Sequence, residues 1–188
     1  MKKLLTTFTA ALLFCICANA QFRIDANLSA TLFSLKSGSV SESMDAGFGP
    51  TFRAFGRIIG NRFVGIDLGL GYAQRKGLAN SRISSPDLTL NNIEVPALFY
   101  VNLGLGKIFA ITPMVGVYAD YAVGGSSYFE GKKGLERFNY GAEAELMFTF
   151  LSHLTLGGGV QYGLRDLSNT SGVSFKPVSF YLGLGWKF

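Results

Sequence analysis

Alternate residues from Val178 to Phe188 are apolar: Val178, Phe180, Leu182, Leu184, Trp186 and Phe188. Ser179, Tyr181, Gly183, Gly185 and Lys187 stand between them. A period of two places these sets on opposite faces of an extended strand. The apolar set is expected to face lipid.

The same period recurs along the whole chain from Gln21. The first strand sets Phe22, Ile24, Ala26, Leu28, Ala30 and Leu32 against Arg23, Asp25, Asn27, Ser29 and Thr31. The second, about residues 44 to 58, sets Met44, Ala46, Phe48, Phe52 and Ala54 against Asp45, Gly47, Gly49, Thr51, Arg53 and Arg57. In the third, Val64, Ile66, Leu68, Leu70 and Tyr72 oppose Gly65, Asp67, Gly69, Gly71 and Arg75. A fourth begins near Leu88 and shifts phase at Asn91-Asn92, which predicts a bulge, before Ile93, Val95, Ala97, Phe99 and Val101 continue it opposite Glu94.

Residues 108 to 123 form a fifth, with Asp120 and Tyr118 on its polar face. The sixth runs from Phe138 to Phe150 with Glu143 and Glu145 on that face, and the seventh from Leu154 to Leu164 with Gln161 and Arg165. Phe188 closes the eighth.

Connections near 59 to 62, 102 to 107 and 151 to 153 are short. Those near 36 to 43, 75 to 87, 124 to 137 and 166 to 176 are long. Alternating short turns and long loops on an even number of such strands predict an all-β, eight-stranded antiparallel up-and-down transmembrane β-barrel. Both termini are then expected in the periplasm. A soluble barrel would show the same period with the faces exchanged, and the glycine-rich charged face decides between them. Glycine weakens a solvent-facing strand, whereas a narrow interior needs small residues beside long ones.

Residues 1–20 read as a cleaved secretory signal peptide: Lys2 and Lys3, an apolar stretch from Leu4 to Cys17, then Ala18-Asn19-Ala20. Residues 21–188 are the barrel domain, destined for the outer membrane of a Gram-negative cell. Both cysteines lie in that leader, which excludes disulfides and thiolate chemistry after processing. The chain's net charge of +5 falls to +3 once Lys2 and Lys3 leave, too mild an excess to imply nucleic acid. Mean hydropathy is +0.30, yet no apolar run after the leader reaches the roughly 18 residues of a membrane helix. An exported apolar chain without such a helix satisfies its backbone in lipid as a closed barrel.

The segment Asn91-Asn92-Ile93-Glu94-Val95-Pro96-Ala97-Leu98-Phe99-Tyr100 resembles the "LEIPLLLKY" strand of the PorT-like outer-membrane β-barrel family. Ile111-Thr112-Pro113-Met114-Val115-Gly116-Val117-Tyr118 is similar to its "AGPYLGY" strand, and Leu182-Gly183-Leu184-Gly185-Trp186-Lys187-Phe188 follows in order. Asn91 and Asn92 depart from the family's aromatic or leucine, and Phe99 from its lysine. The resemblance implies a porin-like barrel, with one namesake in a protein secretion system, and supplies no catalytic residue.

The inward charges Arg23, Arg53, Arg57, Asp67, Glu94, Asp120, Glu143, Glu145 and Arg165 are the sharpest constellation. An eight-stranded barrel is only wide enough for side chains to fill it, and buried ions are costly unless paired. A plugged lumen is therefore expected ahead of a narrow pore for small polar solutes. Phe180, Leu182, Leu184, Trp186 and Phe188 have the form of the signal read by the outer-membrane assembly machinery.

No catalytic, cofactor or metal site is expected. His153, the only histidine, lies in the predicted periplasmic turn, away from the outer rim. The cations Arg75, Lys76, Arg82, Lys132, Lys133, Arg137 and Lys176, with Tyr128 and Phe129, are placed in outer loops. They are weighed there as lipopolysaccharide contacts against plain solvated charge. Tyr72, Tyr121, Phe138, Tyr140 and Tyr162 predict one interfacial girdle, and Phe109, Phe150, Trp186 and Phe188 the other. A non-enzymatic envelope or loop-presenting protein is the expected role, with an envelope or secretion-system partner as a further expectation.

Overall fold

The computed structural model describes residues 21–37, 40–79, 87–105, 108–125, 135–168 and 173–188. Eight long strands make the wall: β1 (Phe22–Ser37), β3 (Asp45–Gly60), β4 (Val64–Leu78), β5 (Leu88–Val101), β7 (Phe109–Gly125), β8 (Phe138–Phe150), β9 (Leu154–Gly163) and β10 (Val173–Lys187). Two short ones, β2 (Val40–Ser43) and β6 (Leu103–Leu105), pair with the ends of β1 and β7.

Each long strand runs antiparallel to the next, and β10 returns to β1 with Leu28 opposite Leu182 and Arg23 opposite Lys187. The sheet thus closes on itself and leaves no long edge unpaired. It is an all-β, closed, eight-stranded antiparallel barrel.

Burial follows the two-residue period with the apolar face outward. Leu28, Leu70, Val117, Leu182 and Leu184 are each 58–64% exposed. Between them Arg53, Arg75, Glu94, Asp120 and Glu143 are no more than 3% exposed. Tyr121, Phe138, Tyr140 and Tyr162 ring the exterior toward the long loops, and Phe150, Trp186 and Phe188 toward the short turns, all well exposed.

This inside-out rule reverses at the loop end. Phe33, Met44, Leu88, Leu90, Leu167 and Phe175 are buried together inside the wall, with the Phe33 and Phe175 rings stacked at 5.0 Å. Outside the same stretch, the Tyr72 hydroxyl and the Gln74 amide both donate to Asn91 Oδ1 at 3.0 Å. Strand length explains the reversal. Fifteen-residue β4 climbs about 38 Å along an axis tilted by about 40°, against an apolar band of about 25 Å. Where the wall outgrows that band its exterior meets water, and the interior becomes the apolar side.

Two sequence expectations are corrected. Met44, placed on the lipid face, is 4% exposed and packs inside, while Asp45 points outward, because a register shift in β3 between Gly47 and Thr51 exchanges its faces. The phase shift at Asn91-Asn92 is not a break in β5, whose residues alternate without interruption from Leu88 to Tyr100. A register irregularity does lie there, but the extra residue is Val123 on β7, since Asn91 faces Gly124 and Asn92 faces Ala122. What changes along β5 is the surroundings of each face.

Interior glycines make room for large neighbours. A Cβ on Gly69 would lie 2.7 Å from the Phe55 ring and 2.8 Å from Pro96, a space that only hydrogen fits. The β8–β9 turn is tight, with Leu151 and Ser152 both left-handed at φ 51° and 66°. Leu151, Ser152 and His153 make the whole connection, since Phe150 pairs with Leu154.

Candidate functional site: the charged lumen and the turn-end basin

The lumen is built in tiers, because every inward position of one strand faces the inward positions of seven others. Nearest the short turns, Arg57 contacts Asp67 at 3.4 Å and lies over the Tyr100 ring at 4.1 Å. Above it the Arg23 guanidinium lies 3.0 Å from Asp25, 3.3 Å from Glu145 and 4.3 Å above the Phe55 ring. The middle tier centres on Arg53, which donates to Glu143 at 2.6 Å and Glu145 at 3.2 Å and lies 4.3 Å over the Tyr181 ring. The Tyr181 hydroxyl donates to Glu143 at 2.6 Å.

In the next tier Arg75 meets Asp120 at 2.7 Å and Glu94 at 3.5 Å, and donates to Gln161 and Ser179. Gln161 in turn donates to Glu143 at 2.9 Å, which links this tier to the one below. The apolar cluster around Phe33 closes the stack.

The structure thus places Arg23, Arg53, Asp67, Glu94, Asp120, Glu143 and Glu145 inside the wall, with Arg57 at its turn-end mouth. Arg165 stands apart: β9 ends at Gly163, and Arg165 pairs with Glu136 at 3.4 Å, where both side chains are over a third exposed. Arg75, placed among the loop cations by sequence, is instead 2% exposed at the heart of the lumen. Its parity with Asp67 and Gly71 was the signal that pointed there. Of the other loop cations, Lys76 and Lys176 stand on the wall near the loop end, and Arg137, just before β8, donates to the Ala122 carbonyl. Arg82, Lys132, Lys133, Tyr128 and Phe129 lie outside the described residues, as does the leader.

Electrostatics inside are unbalanced. Three arginines below 4% exposure, Arg23, Arg53 and Arg75, and Arg57 at the mouth face six buried carboxylates, those of Asp25, Asp67, Glu94, Asp120, Glu143 and Glu145. Hydrogen-bond donors make up part of the deficit, notably Tyr181, Gln161 and Asn92. Such a network is costly to break at any one member, because the partner is left charged and dry.

Outside the strands, the carboxylate of Asp166 accepts backbone N–H bonds from Phe175 at 2.7 Å and Ser168 at 3.0 Å. Burial pushes this carboxyl up, but those donors outweigh it and hold it below the usual carboxylate range.

At the turn end the barrel opens into a basin of about 580 Å³, lined by Arg62, His153, Lys187, Asn102, Phe63 and Phe188 among others. The neck below it, between Arg57, Tyr100 and Met147, holds only about 10 Å³. That is the room of a single water. Among the described residues, His, Cys, Asp and Glu form no group of three that could hold a metal.

An inside-out closed barrel with paired lumen charges and exterior aromatic girdles is the architecture of an outer-membrane protein. The chain matches the outer membrane protein beta-barrel domain over residues 6–188, and it belongs to that family. Its fold is similar to the crystal structure of the outer membrane protein OprG from Pseudomonas aeruginosa. That likeness has a TM-score of 0.53 and 13% identity, and it covers 90% of this chain and 96% of that one. Neisserial surface protein A, NspA, is similar at a TM-score of 0.51 and 16% identity, covering 89% of this chain and 97% of the other. No functionally curated protein matches the chain.

Proposed function

We propose that this protein is a non-enzymatic component of the outer-membrane envelope whose polar lumen is plugged and whose long loops are its outward-facing surface. The tiered ion network carries this reading. A solute would have to part Arg75 from Asp120 and Glu94, then displace the stacked Phe33 and Phe175 rings.

On this reading residues 1–20 are a signal peptide removed on export, and the short turns and both termini face the periplasm. Phe180, Leu182, Leu184, Trp186 and Phe188, exposed on the outer wall, present the insertion signal to the assembly machinery. Membrane lipid and lipopolysaccharide are the surrounding partners, and a protein partner in the envelope or a secretion system would meet the loops. The PorT-like resemblance belongs to the same reading.

Planar-bilayer recording tests it: the purified protein is expected to insert without producing steady current steps. Channels of defined size, abolished when the lumen arginines are replaced by tryptophan, would establish the narrow solute pore instead.

A further inference from the structure

The turn-end basin is not part of the plug. Its lining includes Arg62 and Lys187 and, among the described residues, contains no aspartate or glutamate side chain. The nearest acid below, Asp67, is already paired with Arg57. Lys187 is partly buried and shared between basin and neck, yet its ammonium makes no ion pair within 4.0 Å among the described residues. The Arg62 guanidinium, 4.6 Å over the Phe63 ring, has no acid partner there either.

His153 is held at the rim. Its ring stacks on Trp186 at 5.4 Å, and its Nδ1 lies 2.8 Å from the Lys187 carbonyl oxygen. A carbonyl only accepts, so Nδ1 carries the proton and donates, which leaves Nε2 for another partner. The backbone closes the same contact from the other side, Lys187 N–H donating to the His153 carbonyl at 2.8 Å. Phe63, Phe109 and Phe188 supply the apolar part of the lining.

We infer that this basin binds a carboxylate carried on a small apolar body, with Lys187 and Arg62 facing the anion and the phenylalanines facing the body. Unpaired cations in a concave, partly apolar lining attract such a ligand more than an uncharged analogue. The volume lies within the roughly 300 to 1,000 Å³ of small-molecule sites. A carboxylate also complements guanidinium and ammonium donors directly. The free end of a short peptide and a fatty acid both carry this group, and the test separates them.

The protein purified from membranes and placed in phospholipid nanodiscs is titrated with acetyl-Ala-Ala-Phe, its C-terminal amide, and octanoate. Binding is read from the ring resonances of His153, the chain's only histidine, and by calorimetry. The peptide acid is expected to bind saturably and at least tenfold more tightly than its amide. Arg62→Gln, in an exposed turn, is expected to weaken it about threefold, and Lys187→Met about tenfold. Saturable binding of octanoate as well would assign the site to carboxylates at large, and its absence would assign it to peptide ends.

Equal affinity for acid and amide, no saturable signal, or full affinity in both variants would overturn the inference. Lys187 ends β10, so its loss could impair folding; Arg62→Gln, checked by heat-dependent gel mobility, keeps the test decisive. The plug reading stands or falls separately on conductance, which these titrations do not measure.

Discussion

Arg75 offers the sharpest test of how the lumen is held. Glu94 and Asp120 are register partners across β5 and β7, so two carboxylates sit directly opposite each other inside the wall. Like charges so placed repel. The Arg75 guanidinium lies 2.7 Å from one and 3.5 Å from the other, and it also donates to Gln161 and Ser179. Arg75→Met keeps much of the side-chain length and removes the charge, leaving both acids buried with only weak donors such as Asn92 at 3.4 Å.

Breaking a buried pair by removing one partner costs about 3 to 5 kcal/mol, and that range is expected here. Asp120→Asn alone removes one acid and should cost about 1 to 3 kcal/mol. In the double variant Arg75→Met/Asp120→Asn the repulsion is gone, so the two losses should fall short of additivity by about 1 to 3 kcal/mol. Reversible urea unfolding in lipid vesicles measures this, with the fluorescence of Trp186, the sole tryptophan, as the signal. If Arg75→Met costs less than about 1 kcal/mol, or the two substitutions simply add, the guanidinium is not what reconciles these acids and the tier argument fails.

Other substitutions probe the wall and its loops. Leu182→Arg, at a position 64% exposed on the middle of β10, should cost about 2 to 4 kcal/mol in lipid vesicles, whereas a water-facing site would shift by no more than about 0.5 kcal/mol. Gly69→Ala pushes a methyl to 2.7 Å from the Phe55 ring and should cost about 1 to 3 kcal/mol. Gly104→Ala, whose methyl would meet nothing nearer than Asn102 at 3.9 Å, should be close to neutral in the same urea titration. The lowered carboxyl of Asp166 gives its loop a stabilisation that is full above the unfolded carboxylate value, about 3.9, and is lost as pH falls through the lower folded value. The protection of the Ser168 and Phe175 amides, measured as exchange relative to the intrinsic rate at each pH, should therefore fall on acidification of the wild type, and an Asp166→Asn variant should lack that acid-dependent step.

Why some of this was legible in sequence and some was not follows from what a period of two can encode. Alternation reports that a strand has two unlike faces, and so the eight segments and the pairing of Phe188's strand with the first were readable. It does not report which side holds water. Across the apolar band the outer side is lipid, and Leu28, Leu70 and Leu182 obey a single rule.

Past that band, β1 passes from Leu32 outside to Phe33 inside, and β5 from Leu90 inside to Ile93 outside, with no break in either backbone. A reader holding the lipid rule fixed must then invent a phase shift at Asn91-Asn92, whereas Met44 is turned inward by a register shift between Gly47 and Thr51 that the residue pattern does not announce. Arg75 carries two readings for a related reason, on the polar face of its strand with Asp67 and again among the loop cations, since a charge near a loop is assigned to solvent unless its parity is weighed first. That parity, shared with Asp67 four register steps down the same face, is what commits the longest cation of β4 to the lumen. The same rule places Tyr181 and Gln161 beside Glu143, so the donors that complete the network are fixed by the strand period rather than by any motif.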